Sequence, residues 1–259
     1  MDAKKTSLRE RVLVVEDDRI ISKILNMKLL EAGYQVVRIV ETGEDAIAEA
    51  IEEFPDIVLM DISLQGKMDG IMGTMFIDAF LHIPVIFLTS HDDEITVRKA
   101  KSVNPATFLK KPFKSADVFT NIEIVCKNHD KIMRGMGVNL DETREHAKQI
   151  TDSGNGIFIT DTMSRIVYMN AAAERIFSIE RKRSILKPIN ECVMLQKQES
   201  ESDTGSDSIT SLIFRNLISG HSEEMDLTFS DGSIRKMQLK AQSIAGMEGE
   251  RIGLVVEFI

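Results

Sequence analysis

Cysteine is scarce in this chain: two residues of 259, Cys126 and Cys192. Two cysteines make neither a disulfide framework nor a metal-ligand set, and the compartment they imply is a reducing cytosol. Long apolar runs are missing too. No stretch nears the roughly 18 uninterrupted apolar residues of a membrane span. The opening "MDAKKTSLRERVLVVEDD" has neither the apolar core nor the small-residue cleavage site of a signal peptide. Basic excess is absent as well, with 32 Lys+Arg against 41 Asp+Glu and a net charge of −9. Phosphate contact needs a basic face, so direct DNA binding is not expected. The densest basic run, Arg181-Lys182-Arg183, reads as a solvated helix face. No helix-turn-helix, nucleotide-cyclase or kinase pattern is found, and no internal repeat. The expectation is a cytoplasmic protein with no membrane segment.

What is present is a globular composition, 43% hydrophobic and 28% charged, at a length that accommodates two domains. Across residues 11–130, short apolar runs alternate with segments of helical period. "RVLVVE", "YQVVRIV", "DIVLMD", "PVIFLTS" and "TFLKK" read as strands. Between them, Ile21, Leu25 and Leu29 form one helix face ended by Gly33, and Thr42 and Asp45 are placed like a capping box. Further helices are predicted over 70–81, over "DDEITVRKAKS" and from Ser115. Five strands alternating with five helices give a parallel sheet, because right-handed crossovers lay helices on both of its faces. Continuous apolar strands such as "IVLM" and "VIFL" suit a sheet buried on both sides. The third helix, "IMGTMFIDAFLH", is apolar around nearly its whole circumference through Ile71, Met72, Met75, Phe76, Ile77, Phe80 and Leu81. Such a helix wants cover on its outer side, and a partner or the second domain is expected there.

From 115 to 151 the pattern is mostly helical, broken by two glycines in "RGMGVN", and reads as a connector. The periodicity changes at Gly156. "GIFITD" and "RIVYMN" read as strands, followed by a helical stretch from Ala171 to about Leu195, a polar loop "QESESDTGSDS" and a helix "ITSLIFRNLIS". "EEMDLTFS" and "IRKMQLKAQSI", joined at Asp231-Gly232, read as a hairpin, and "RIGLVVEFI" as a last strand. A small antiparallel α+β domain is expected. The abrupt end after a core strand keeps open that the sequence is part of a longer chain.

In an open parallel sheet, ligands sit beyond the carboxyl ends of the strands. The first strand ends at Glu16-Asp17-Asp18, the third at Asp61 and the fourth at Thr89-Ser90, while Lys111-Pro112 follows the fifth. With the first and third strands adjacent, Glu16, Asp17 and Asp61 converge. Three carboxylates repel one another unless a cation joins them, and oxygen ligands in a small open site point to Mg²⁺. The alternative is a set of unrelated polar residues at strand ends.

"VLVVEDD", "PDIVLMDI…MDG", "PVIFLTS" and "KKPF", in that order and at these separations, resemble the receiver domain of two-component response regulators over roughly residues 10–130. The resemblance implies a flavodoxin-like (CheY-like) fold in which Asp61 accepts a phosphoryl group from the phosphohistidine of a sensor histidine kinase. It also implies Mg²⁺ held by Glu16, Asp17, Asp61 and the backbone carbonyl of Ser63. Thr89 would give its hydroxyl to a phosphoryl oxygen, and Phe108 would be the switch ring that turns inward with it. Lys111 supplies the compact cation, since Lys110 beside it should point to the other strand face. A lysine before proline here fits a cis bond fixing the loop. Departures are visible. Phe108 lacks the hydroxyl many relatives carry, Thr107 stands where glycine is frequent, and the third helix lacks the usual charges.

Residues 152–177, "DSGNGIFITDTMSRIVYMNAAAERIF", resemble the opening of a PAS domain, and the "FSDGSIR" hairpin and final strand extend that resemblance over about 145–259. Asn170 and Asp161 are expected to cap and brace local backbone. The flavin-thiol signature around Cys192 is missing, His221 sits in an apparent loop, and Tyr168 and Phe158 read as core, so no PAS cofactor is assigned.

The expected organisation is a receiver domain over 8–130, a helical connector over 131–151 and a PAS domain over 152–259. The chain would be a phosphoacceptor rather than an enzyme, with the PAS domain as output, dimerisation or sensing module, and a sensor histidine kinase and a second copy as partners. A phosphatase working through an aspartyl-phosphate usually has a second aspartate two residues after the nucleophile, where Ser63 stands here. A flavodoxin cradles phosphate in the loop after its first strand, where "EDDR" repels an anion. A PAS-led small-molecule sensor and a fragment of a longer signalling enzyme stay as alternatives.

Overall fold

The computed structural model describes residues 9–90, 98–101, 103, 105–193, 213, 222–229, 232–246 and 249–259. They divide into two compact units, 1–148 and 149–259. In the first, β1 (Arg11–Val15), β2 (Gln35–Val40), β3 (Ile57–Asp61), β4 (Val85–Thr89) and β5 (Thr107–Lys110) form one parallel sheet in the order β2-β1-β3-β4-β5. Every residue of β3 and β4 is buried, as strands covered on both faces require. This is the flavodoxin-like architecture.

The helices follow the periodicity. In α1 (Arg19–Glu31), Leu25 and Leu29 pack into a cluster with Val12, Val14, Leu59 and Val118. Asp18 caps it, its carboxylate accepting the N–H groups of Ile20 and Ile21 at 2.8 and 3.1 Å. Gly33, at φ +89°, then turns the chain into β2. At the start of α2 (Gly43–Glu53), the Thr42 hydroxyl oxygen accepts the Asp45 N–H at 3.1 Å. The return leg of the box differs from the usual one, since the Asp45 carboxylate takes the Thr42 hydroxyl itself. The helix expected at "DDEITVRKAKS" lies largely outside the described residues, of which 98–101 are helical.

The cover expected on the outer side of α3 (Gly70–Leu81) comes in part from within the first unit. Phe76, Ile77 and Leu81 are core residues, and Ile71, Met72, Met75 and Phe80 are half-buried, none standing exposed. Part of the cover is α2. A Cβ at Gly73 would sit 3.5 Å from the Gly43 Cα, so glycine faces glycine and the two helices approach closely.

Beyond β5, α4 (Ser115–Gly135) buries Val118, Ile122 and Val125 on the sheet and then stops. The Val138 N–H reaches the Met133 carbonyl at 2.9 Å, and Gly137, at φ +74°, turns the chain. A further helix, α5 (Leu140–Asp152), follows. Among the described residues, no helix is long and apolar enough to cross a membrane.

In the second unit, β6 (Gly156–Asp161), β7 (Ile166–Met169), β8 (Glu223–Thr228), β9 (Ile234–Ala245) and β10 (Arg251–Phe258) form an antiparallel sheet in the order β7-β6-β10-β9-β8. Phe158, Phe177 and Phe258 meet at its centre with ring centroids 5.1 to 5.8 Å apart. The helical stretch expected from Ala171 to about Leu195 is broken into α6 (Ala171–Phe177), α7 (Arg181–Ser184) and α8 (Ile189–Cys192). Ser178 and Leu186 adopt left-handed φ of 53° and 62°, and Pro188 has no N–H to continue a helix. The polar loop at 198–208 and the helix at 209–219 fall outside the described residues apart from Ile213.

Asn170 does more than cap α6. Its amide oxygen accepts the N–H groups of Ile157 and Ala173, and its NH₂ donates to the carbonyls of Ile150 and Asn155, all at 2.9–3.0 Å. Asp161 closes the β6–β7 turn, accepting the N–H groups of Met163 and Arg165 and pairing with the Arg165 guanidinium at 2.6 Å.

One charged group on α3 is poorly accommodated. Burial pushes the Asp78 carboxyl up to about 6, and no counter-charge among the described residues offsets it. Because the folded-state value lies above the unfolded one, the associated stability is present at low pH and is lost as pH rises through 6. Asp78→Asn is therefore expected to stabilise the protein by about 1–2 kcal/mol at pH 7.5 and to change little near pH 4. Thermal denaturation at the two pH values measures the difference.

Candidate functional site

Parallel strands carry their C-terminal residues to one edge, and there the acids meet. Glu16 follows β1, its N–H bonded to the Val40 carbonyl at 3.0 Å, and Asp61 is the last residue of the neighbouring strand β3. Glu16 and Asp61 are buried and Asp17 is half-buried. Oxygens of the three carboxylates lie within 4.8 Å of one another. Lys111, directly after β5 and before a cis bond to Pro112, reaches in between them. Its Nζ lies 2.7 Å from Asp61 Oδ2 and 2.5 Å from Glu16 Oε2.

The charges are coupled. Burial pushes the Glu16 carboxyl up to about 7; Lys111 opposes this and nearby Asp61 adds to it. Burial alone pulls Lys111 down, but its bonds to Asp61 and Glu16 outweigh that and hold it above its ordinary value. The ammonium therefore stays charged at neutral pH.

The donor set fits a hard divalent cation. Glu16 Oε2 is buried without an aligned hydrogen-bond donor, the close approach of Lys111 being an ion pair outside hydrogen-bond geometry. Three carboxylates face one ammonium, and all the ligand atoms are oxygen.

The remaining site residues surround this cluster. Ser63 is exposed, and its N–H donates to Asp61 Oδ1 at 3.0 Å. Thr89 is buried at the end of β4, and its carbonyl accepts the Lys111 N–H at 2.7 Å. Phe108 is half-buried, its ring packed on Phe87 at 5.6 Å between centroids. Lys110 is exposed, while Lys111 turns to the acids. Asp18, adjacent in sequence to the cluster, has its carboxylate engaged as the α1 cap.

Two supporting residues escaped the sequence reading. Glu44, on α2, accepts the N–H groups of Lys67 and Met68 at 3.3 and 3.2 Å and holds the loop after β3. No local pattern marks it. Gly70 does carry a signal, a glycine directly after the α3 cap Asp69. A Cβ at Gly70 would run into the backbone carbonyl of Asp61, so only glycine lets α3 start this close to the end of β3.

Acids at the ends of two adjacent strands, a lysine from a third and a flavodoxin-like order define a receiver-type α/β domain. The family model for the response regulator receiver domain matches residues 12–123, and that for the PAS fold matches 145–259. The chain thus carries a response regulator receiver domain followed by a PAS domain. It is similar to the transcriptional regulatory protein PdtaR of Mycobacterium tuberculosis, 28% identical over 184 residues, which are 68% of this chain and 88% of that protein. Among solved structures, the signal receiver domain of a modulated diguanylate cyclase from Desulfovibrio desulfuricans G20 is 36% identical with a TM-score of 0.46, covering 47% of this chain and 96% of that one. The receiver domain of the sensor histidine kinase PA1611 from Pseudomonas aeruginosa PAO1, which has a magnesium ion coordinated in its active site cleft, is 26% identical. Its TM-score is 0.43, with 46% of this chain and 98% of that one covered.

Gly70→Ala is expected to cost about 1–3 kcal/mol, because the clash is with backbone and cannot be relieved by a side-chain rotation. Gly73→Ala, where a Cβ finds ordinary contact distances, is expected to be neutral or stabilising in the same helix. Denaturant unfolding of both variants checks the contrast.

Proposed function

We propose that this protein relays a two-component signal by accepting a phosphoryl group on Asp61 from the phosphohistidine of a sensor histidine kinase. The reading is carried by one observation: three carboxylates and Lys111 gathered where β1, β3 and β5 end. A carboxylate oxygen of Asp61 attacks phosphorus, the P–N bond breaks with its electron pair returning to the imidazole, and an acyl phosphate results. Such transfer depends on positioning and charge neutralisation more than on covalent chemistry by other groups. β3, buried along its length, fixes Asp61, and Ser63 N–H and Lys111 Nζ orient its two oxygens.

Mg²⁺ is assigned to Glu16, Asp17, Asp61 and the Ser63 carbonyl, and when bound it neutralises charge on the carboxylates and the phosphoryl oxygens. Lys111 contributes the fixed cation, Thr89 the hydroxyl for a phosphoryl oxygen, and Phe108 the accompanying switch. Phosphorylation then shifts a two-state equilibrium.

The kinase is assigned to α1. This helix starts at the acid edge and exposes Ile20 (72%), Ile24 (49%) and Met27 (47%) at i, i+4, i+7 spacing. That stripe suits the apolar face of a partner helix. We divide the chain into a receiver at 8–130, a connector at 131–151 and a PAS module at 152–259 that serves as output, dimerisation or sensing unit. With a net charge of −9, the protein acts in the cytoplasm through protein partners, including a second copy, rather than on DNA directly. It is a phosphoacceptor and not an enzyme with its own substrate.

A second reading is a PAS-led small-molecule sensor. Thr160 favours it: the side chain is fully buried, shares a face of β6 with Phe158, and its hydroxyl has no hydrogen-bond partner among the described residues. A small molecule retained by the purified protein in native mass spectrometry would establish that reading.

With Mg²⁺ and acetyl phosphate, intact-mass measurement is expected to find a single phosphoryl adduct on the parent protein and none on Asp61→Ala. An unmodified parent protein refutes the assignment. Ile20→Glu and Ile24→Glu are expected to slow phosphotransfer from a sensor kinase by about tenfold or more while leaving acetyl phosphate labelling unchanged.

A further inference from the structure

The basal edge of the sheet, opposite the acids, is where the connector is held. Asp56 directly precedes β3, whose far end is Asp61, so two aspartates bracket one strand. β3 is paired to β1 on one side and β4 on the other. It spans about 17 Å and, buried throughout, transmits displacement as a stiff element. The Asp56 carboxylate is divided between two partners. Oδ2 accepts the Arg11 N–H at 2.7 Å, and Oδ1 faces the Arg144 guanidinium of α5 at 3.7 Å. Arg144 also lies over the Phe54 ring, 5.0 Å from its centroid. Phe54 is itself clamped: it is buried, held at φ +45°, and its carbonyl accepts the Arg11 guanidinium at 3.0 Å.

The seat is therefore firm, and the helix seated on it is held lightly. Beside Arg144 and Leu140 lies a cleft of about 440 Å³, reaching back to Cys126, His82 and His129. The cleft opens to solvent, and the Arg144 and Asp56 side chains beside it are themselves exposed, so solvent competes for this contact. Glu10 and Glu123 face the same cleft, so withdrawal of Arg144 would leave acids there with less positive charge. Just before α5, Gly135 and Gly137 have no atom within 4 Å of where a Cβ would sit, which leaves the turn room to pivot.

We propose that Arg144 is a latch holding the first turn of α5 against the basal end of β3, and that this latch passes a change at Asp61 to the connector. Its first half is independent of the phosphoacceptor reading, and its second half rests on it. Arg144 is a positioning residue, acting through Asp56 and Phe54.

Hydrogen–deuterium exchange on the full chain tests it. Arg144→Ala is expected to speed exchange over residues 138–146 about fivefold. Arg144→Lys, which keeps the charge but loses the planar stack, is expected to fall between. With Mg²⁺ and beryllofluoride as probe, exchange over 138–146 is expected to change in the parent protein and not in Arg144→Ala. Equal exchange in parent and Arg144→Ala overturns the latch. A beryllofluoride adduct, seen by fluorine NMR, with the same response in both proteins overturns the coupling. Absence of an adduct counts against the phosphoacceptor reading instead, and the first comparison still decides the latch. Should Arg144→Ala lose its cooperative melt, Arg144→Lys and Arg144→Gln carry the same comparison.

Discussion

Three carboxylates pressed together repel, and the N-terminal half of this protein is arranged around keeping them close. Glu16 and Asp61 are held by buried strands that cannot splay without opening the sheet. Lys111 offsets part of the repulsion from within, while burial first, and the neighbouring Asp61 after it, keeps the Glu16 carboxyl raised. A site that is short of positive charge at rest is suited to a divalent cation and to an incoming group that brings its own metal requirement.

The surrounding structure serves that edge by holding backbone segments in place. Glu44 holds the loop after β3 by two N–H groups, Asp69 caps α3, and Gly70 lets α3 begin against the Asp61 carbonyl. Glu44 and Asp69 commit their carboxylates to backbone N–H groups, and Gly70 brings its segment in by having no side chain. The second unit shows a comparable economy in Asn170, where one amide ties the end of α5 to the first strand and to α6.

Much of this could be read from residue order, because the relevant signals are local. Apolar runs ending in acids placed β1 and β3, and alternation with helical period placed the parallel sheet. Asp61 and Lys111 stand at strand ends, where their side of the sheet follows from alternation alone. The reading ran out where partners are distant in sequence. Glu44 and the loop at 67–68, or Asp56 and Arg144, are joined only by the fold. For α3 the pattern, apolar all round, called for cover but could not register that α2 closes on it at Gly43 and Gly73. The breaks at Ser178 and Leu186 depend on left-handed backbone at residues with no preference for it, and only Pro188 announced itself.

Asp18 carries a consequence of its own. Its carboxylate is committed to Ile20 and Ile21, and its own N–H points to Glu16 Oε1 at 3.4 Å, so the start of α1 is indexed to the acid edge. The exposed stripe beginning at Ile20 is then a ruler whose zero lies at the carboxylates. One residue inserted between Asp18 and Ile20 would rotate that stripe by about 100° around the helix axis while leaving the acids in place. Stripe and acid edge would each persist, turned out of register with one another.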